Sequence, residues 1–170
     1  DYEGAKTLLQ KALASAELNF GEHHPTTAVC YSNLALVLQD LGDYEGAKTL
    51  LQKALASAEL NFGEHHPSTA RRYSNLALVL KDLGDYEGAK TLLQKALASA
   101  ELNFGEHHPS TAVSYSNLAT VYYYLQDFEQ AIVLLEKAYY VYKNHLGDQH
   151  PQTKIIKENL DFVQQKLNQT

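Results

Sequence analysis

The eight histidines are the residues of this 170-residue chain with the most obvious chemistry. Six of them form adjacent pairs, His23/His24, His65/His66 and His107/His108; His145 and His150 follow later. Neutral imidazole is the commonest metal ligand among side chains. Adjacent histidines in a loop point apart, however. A zinc site needs three or four converging ligands, and neither a cysteine nor a fixed carboxylate is supplied beside these pairs. The simpler reading is a loop histidine that caps the helix after it, so no metal site is expected. Cys30 is the only cysteine. As a nucleophile it would need a base in reach and a third group to position that base. The residues 42, 84 and 126 places further on are Arg72, Ser114 and Ile156, so this position does not require a thiol. Gly42, Gly46 and Gly63 stand singly in a helical pattern and form no phosphate-cradling loop. No catalytic residue and no cofactor is expected.

Composition narrows the class further. Apolar residues make up 45% of the chain, an ordinary globular value. The formal net charge is −6 and no Lys/Arg block occurs, which disfavours nucleic acid and anionic membranes as partners. No apolar run approaches the ~20 residues that span a bilayer. The start lacks the basic and apolar segments of a signal peptide. A single cysteine excludes an internal disulfide and fits a reducing, cytoplasmic location. The chain contains no methionine and opens at Asp1 in a phase that recurs later, as expected of a segment from a longer array.

The elements that position these residues follow from an internal repeat. DYEGAKTLLQKALASAELNFGEHHP begins at Asp1, Asp43 and Asp85, and a diverged copy, DFEQAIVLLEKAYYVYKNHLGDQHP, begins at Asp127. The spacing is 42 residues each time, giving units 1–42, 43–84, 85–126 and 127–170 of one domain. In the second unit Tyr44, Ala47, Leu51, Ala54, Leu55, Ala58 and Phe62 recur at three- and four-residue steps, one face of a helix. The helix before it carries Tyr31, Leu34, Ala35, Leu38 and Leu41 on one stripe. Gly42 suits a left-handed helix stop and Asp43 an N-cap, leaving only a tight turn between the two. Pro25 suits the first turn of its helix, and His24 before it is biased away from α geometry. Helices are expected near 2–19, 26–41, 44–61, 68–83, 86–103, 110–125, 128–145 and 152–168. A single pair cannot bury both its faces, so neighbouring pairs must stack into a continuous core.

In YSNLALVLQDLGDYEGAKTLLQKAL, Tyr31, Leu34, Ala35, Leu38, Gly42, Tyr44, Ala47, Leu51 and Ala54 resemble the signature of the tetratricopeptide repeat in order and spacing. The usual unit is 34 residues; here the second helix is longer and a GEHHP loop is added. With LG-x-x-HP before the first helix and NLA inside it, this variant is similar to the repeats of kinesin light chains and related bacterial arrays. The resemblance covers essentially the whole chain. It implies an all-α, right-handed α-solenoid of eight helices in stacked antiparallel pairs, whose first helices line a concave peptide-binding groove. It thus implies a non-enzymatic scaffold or adaptor for a protein or peptide; the alternative is a structural array whose copies associate head to tail.

Comparison of the copies points to the contact face. The first two copies differ only at Thr26/Ser68, Val29/Arg71, Cys30/Arg72 and Gln39/Lys81, all in the first helix of a pair. From second to third copy the changes are Val113, Ser114, Thr120, Tyr122, Tyr123, Tyr124 and Gln126, again in that helix or at its end. Positions 29, 33, 36 and 40 share one helical face. The equivalent residues are Arg71, Asn75, Leu78 and Asp82, then Val113, Asn117, Thr120 and Tyr124. Asparagine recurs on this face at Asn33, Asn75, Asn117 and Asn159; its amide offers both donors and an acceptor to a peptide backbone. Duplication alone is the plainer account of that recurrence. Arg71 can clamp a carboxylate through two hydrogen bonds, with Asp82 partly offsetting the local charge. The candidate groove residues are therefore Asn33, Arg71, Asn75, Lys81, Asn117, Thr120 and Tyr124, and an acidic or carboxylate-terminated peptide across the second and third pairs is the expected ligand. Among the late tyrosines, most are expected in the core, with Tyr123 and Tyr124 facing solvent. Lys157, Asp161 and Gln164 replace Tyr31, Ala35 and Leu38, so 152–168 is expected to be a polar capping helix. The opposite end shows no such cap, so weak head-to-tail association is expected.

Overall fold

The structure, a computed structural model, describes residues 2–169; Asp1, the expected start of the first unit, and Thr170 lie outside them. Eight α-helices and no strand occur among the described residues. They are α1 Tyr2–Phe20, α2 Pro25–Asp40, α3 Tyr44–Phe62, α4 Pro67–Asp82, α5 Tyr86–Phe104, α6 Pro109–Tyr124, α7 Phe128–Leu146 and α8 Pro151–Leu167. Every boundary lies within one residue of the expected one. The even-numbered helices begin one residue earlier because each proline occupies the first helical turn, with the preceding histidine as N-cap.

Contacts divide the chain into two compact units, Asp1–Asp85 and Tyr86–Thr170. In the first, α1 packs on α2, α2 on α3 and α3 on α4; in the second, α5, α6, α7 and α8 pack in the same succession.

The reversal from α2 to α3 needs three residues. Gly42 sits at φ +81°, where its N–H donates to the Gln39 carbonyl and the Asp43 N–H donates to that of Leu38. This double closure satisfies the last carbonyls of α2. Asp43 then caps α3, its carboxylate accepting from the Gly46 N–H at 2.9 Å. In the second unit Gln126 replaces glycine at this turn and is the only non-glycine with positive φ among the described residues, at 61°.

The longer loop carries the paired histidines, and its closure is polar. Thr27 is fully buried, and its hydroxyl donates to the Gly21 carbonyl at 2.8 Å, tying α2 back to the end of α1. Thr111 does the same to Gly105 at 2.7 Å.

The stripes read from sequence form the cores. In the first unit Tyr31, Ala35, Ala47, Leu51 and Ala54 are wholly inaccessible, with Leu34 and Leu38 close behind. The alanines let the paired helices approach. Leu41 and Phe62, placed on those stripes by periodicity, instead lie at the surface. Phe62 stacks on His66 with centroids 4.9 Å apart, just as Phe20 stacks on His24.

Candidate functional site

The histidines act as caps. The Nδ1 atoms of His24, His66, His108 and His150 accept from the N–H two residues on, at 3.1–3.2 Å. Their partners in the doublets serve through the backbone: the His23 carbonyl accepts from Ser57 Oγ at 2.9 Å and from Asn61 Nδ2 at 2.7 Å. In the second unit His145 replaces this asparagine, and its Nε2 lies 2.9 Å from the His107 carbonyl oxygen. No group of three metal-ligating side chains converges among the described residues.

A second recurring device ties each pair together. The buried Tyr31, Tyr73 and Tyr115 donate their hydroxyls to Glu17, Glu59 and Glu101 at 2.6, 2.6 and 2.8 Å. Burial first, and then the bond to a carboxylate, raises all three phenols above their ordinary range. Lys53 lies over the Tyr31 ring and pairs with Glu22 at 2.7 Å. Its hydrogen bond and its charge hold the Glu22 carboxyl below the usual carboxylate range. These bonds recur at equivalent positions and join neighbouring elements, which marks them as structural.

The face inferred from copy differences is open. Val29, Leu36 and Asp40 on α2 are exposed, as are Arg71, Leu78 and Asp82 on α4, and Val113, Thr120 and Tyr124 on α6. Asn33 and Asn159 are exposed; Asn75 and Asn117 are half-buried. Among the described residues none of these four amides is held by a hydrogen bond within the protein. Arg71 and Asn75 lie one turn apart on α4. Lys81 lies off this face, its ammonium 3.1 Å from the Asp82 carboxylate, so its charge is already met.

In the second unit Tyr124 is 47% exposed but lies flat on Tyr86, the rings 5.0 Å apart and 3° from parallel. Tyr123 departs from the expected solvent-facing position: it is half-buried, against Phe128 and Phe162 at 5.7 Å each. Of the remaining late tyrosines only Tyr142 is in the core; Tyr140 is exposed, and Tyr122 and Tyr139 are half-buried. A cavity of about 290 Å³ opens between α6 and α8, with Thr120, Tyr123, Asn159 and Phe162 in its wall. Thr120 and Asn159 lie on the face expected from the sequence; Phe162 was not among the expected residues, although it stands one period after Thr120, at the position of Leu36 and Leu78 in the earlier copies.

The first unit holds the least foreseen group. Arg72, at the position of Cys30, is only 7% exposed, and its Nη1 donates to Ser32 Oγ at 2.5 Å. It and Arg71 line a cavity of about 120 Å³ between the N-terminal ends of α2 and α4. Burial, and then the neighbouring charge of Arg71, lowers the guanidinium from its ordinary value.

The tetratricopeptide repeat family model matches residues 1–59, 31–101, 68–144 and 110–168. No curated protein matches the chain. Two crystal structures of a Podosopora anserina protein, described as a kinesin light chain with nearly identical TPR-like repeats, superpose with TM-scores of 0.89 and 0.88. Both are 24% identical, covering 99% of this chain and 79% and 80% of theirs. BtubC (BKLC) from P. vanneervenii is similar at 0.79, 24% identical, over 99% of this chain and 75% of that one. The apo form of RapI reaches 0.84 at 18% identity, over 99% of this chain and 59% of that one. At these identities the likeness is one of fold: an array of helix pairs. Among the described residues no helix is long and apolar enough to cross a membrane.

Proposed function

The chain belongs to the tetratricopeptide repeat family, and from that premise we propose that it is a non-enzymatic scaffold binding a peptide or protein partner on the exposed faces of its first helices. The observation that carries this reading is the free asparagine amide repeated on those faces. Asparagine is a mediocre helix former, and a mid-helix amide without a bond in the protein contributes little to folding. Opposite an extended peptide the same amide pairs with both the N–H and C=O groups of a backbone. In the first unit the strip runs through Asn33, Arg71 and Asn75; in the second it runs through Asn117, Thr120 and Asn159, with Tyr124 beside it. Arg71 gives the first strip a preference for acidic segments. Lys81, neutralised by Asp82, adds little to that preference.

Affinity capture tests the reading. The chain carrying Asn33→Ala, Asn75→Ala and Asn117→Ala is compared with one carrying Leu60→Ala, a residue 71% exposed on α3. The reading requires that the asparagine variant lose its partner and the Leu60 variant keep it, with chelator making no difference. Loss in the Leu60 variant alone would move the contact to the second helices.

A further inference from the structure

Tyr140 is a large ring at a position where the fold does not call for one. It is 57% exposed on α7, and among the described residues its hydroxyl has no hydrogen bond within the protein. The same helix position holds Ala14 in α1, Ala56 in α3 and Ala98 in α5, so the repeat folds there without a ring. Glu136, one turn earlier, likewise stands where the other copies have Gln10, Gln52 and Gln94. Both residues border a cavity of about 430 Å³ between α7 and the loop joining α5 to α6. Glu106 and His107 of that loop and the buried Tyr115 and Val141 also line it. The His107 ring rests against that of Tyr140, centroids 5.6 Å apart and planes tilted by 58°.

The first unit shows what this part of the repeat holds. There Lys53 places its ammonium 2.7 Å from the Glu22 carboxylate and 5.4 Å from the Tyr31 ring centre, a cation between a carboxylate and a ring. In the second unit the equivalent Lys137 lies over Tyr115 at 5.2 Å but forms no ion pair with Glu106. Neither Glu106 nor Glu136 has an ion pair among the described residues, so two carboxylates stand at this cavity against one ammonium. We infer that the cavity receives an arginine side chain from a basic segment of a protein partner. The guanidinium lies on the exposed Tyr140 ring and pairs with the Glu106 and Glu136 carboxylates. Arginine suits the site better than lysine. Its planar head stacks on an aromatic face, forks a carboxylate in two parallel bonds and is the more weakly hydrated cation. The chain's net charge of −6 draws a basic segment towards it. The site belongs to a second helix and its loop, so it does not rest on the first-helix face as the contact surface.

The test is an NMR titration of the full chain, following the Val133 and Val141 methyls and the His107 backbone N–H. Acetyl-arginine amide is the probe. Acetyl-citrulline amide, of the same shape without the charge, and acetyl-lysine amide are parallel arms, and free arginine stands for a small-molecule ligand. Glu136→Gln and Tyr140→Ala are the matching variants, because each restores the residue that the other copies carry there. Saturable shifts with the arginine probe are expected, weakened about threefold or more in either variant, with citrulline and lysine weaker. Lys137→Met removes the one competing cation and is expected to tighten binding. The triple asparagine variant, altered only on first helices, is expected to bind the probe as wild type does. Non-saturating shifts, equal affinity in Glu136→Gln and Tyr140→Ala, or weaker binding in Lys137→Met would overturn the proposal. So would tighter binding of the lysine or citrulline probe. Tighter binding of free arginine than of the blocked form would overturn a protein partner as the occupant.

Discussion

Alkaline titration offers a direct check on how neighbouring helices are tied together. Tyr31, Tyr73 and Tyr115 are buried, each bonded to a glutamate, and their phenols are raised above the ordinary value of about 10. As pH rises past about 10, the unfolded chain releases these protons while the folded chain keeps them. The unfolded state then binds fewer protons, so stability falls with rising pH until the folded phenols titrate. The slope is at most about 1.4 kcal/mol per pH unit for each tyrosine, or about 4 for the three. The hydroxyl ends lie beside exposed or half-buried glutamates, and solvent screening there reduces the sum to about 2 kcal/mol per pH unit. Urea melts between about pH 9 and about pH 11, with tyrosinate absorbance followed in parallel, measure this slope. Lys53, Lys90, Lys143 and Lys157, raised by their hydrogen bonds to carboxylates, titrate in the same direction. The control is therefore the triple variant Tyr31→Phe, Tyr73→Phe, Tyr115→Phe, which keeps the rings under Lys53 and Lys137. It is expected to start less stable at neutral pH, by about 1–2 kcal/mol per lost bond, and to show a much shallower alkaline slope. An alkaline slope equal to wild type would refute the reasoning.

Three further outcomes follow from single positions. Leu51 is wholly buried on α3, whereas Leu9 on the identical α1 is only half-buried; Leu51→Ala should cost about 2–5 kcal/mol in chemical denaturation and Leu9→Ala clearly less. Gln126 occupies a left-handed turn position where glycine stands at Gly42 and Gly84; Gln126→Gly should raise the melting temperature, by up to about 1 kcal/mol in stability. Deleting 151–168 would uncover the side of α7 against which Ile156, Leu160 and Val163 pack; stability should drop by several kcal/mol, at ~2–5 for each large side chain lost, with association visible in sedimentation.

Much of this architecture was legible because its causes are local. The 42-residue period, the Gly42–Asp43 turn and the proline starts of α2, α4, α6 and α8 all lie within a few residues of what they determine. The candidate face was legible for a different reason: several differences among the first three copies fall on it, at Arg71, Val113, Thr120 and Tyr124, and these positions are exposed, whereas Arg72 and Ser114, which also differ, are buried. What could not be read depends on contacts distant in sequence. Ser57 and Asn61 look like surface polar residues of a helix, yet they hold the His23 carbonyl 34 and 38 residues away. The Glu17 bond to Tyr31 and the Tyr123 contact with Phe162 are equally non-local. Arg72 was read only as a replacement for Cys30. Its burial depends on a side chain long enough to reach Ser32, 40 residues earlier, which periodicity does not reveal.

The central claim is that the first-helix face binds a peptide, and calorimetric titration of a captured partner's segment tests it most directly. Wild type, Arg71→Ala and Asn75→Ala are compared at one salt concentration, with melting temperatures recorded beside them. Binding should weaken by roughly 1.5–3 kcal/mol for Arg71→Ala, the range for a charged hydrogen bond, and measurably for Asn75→Ala, with melting temperatures almost unchanged. Affinities for both variants equal to wild type would contradict the account and place the partner off this face.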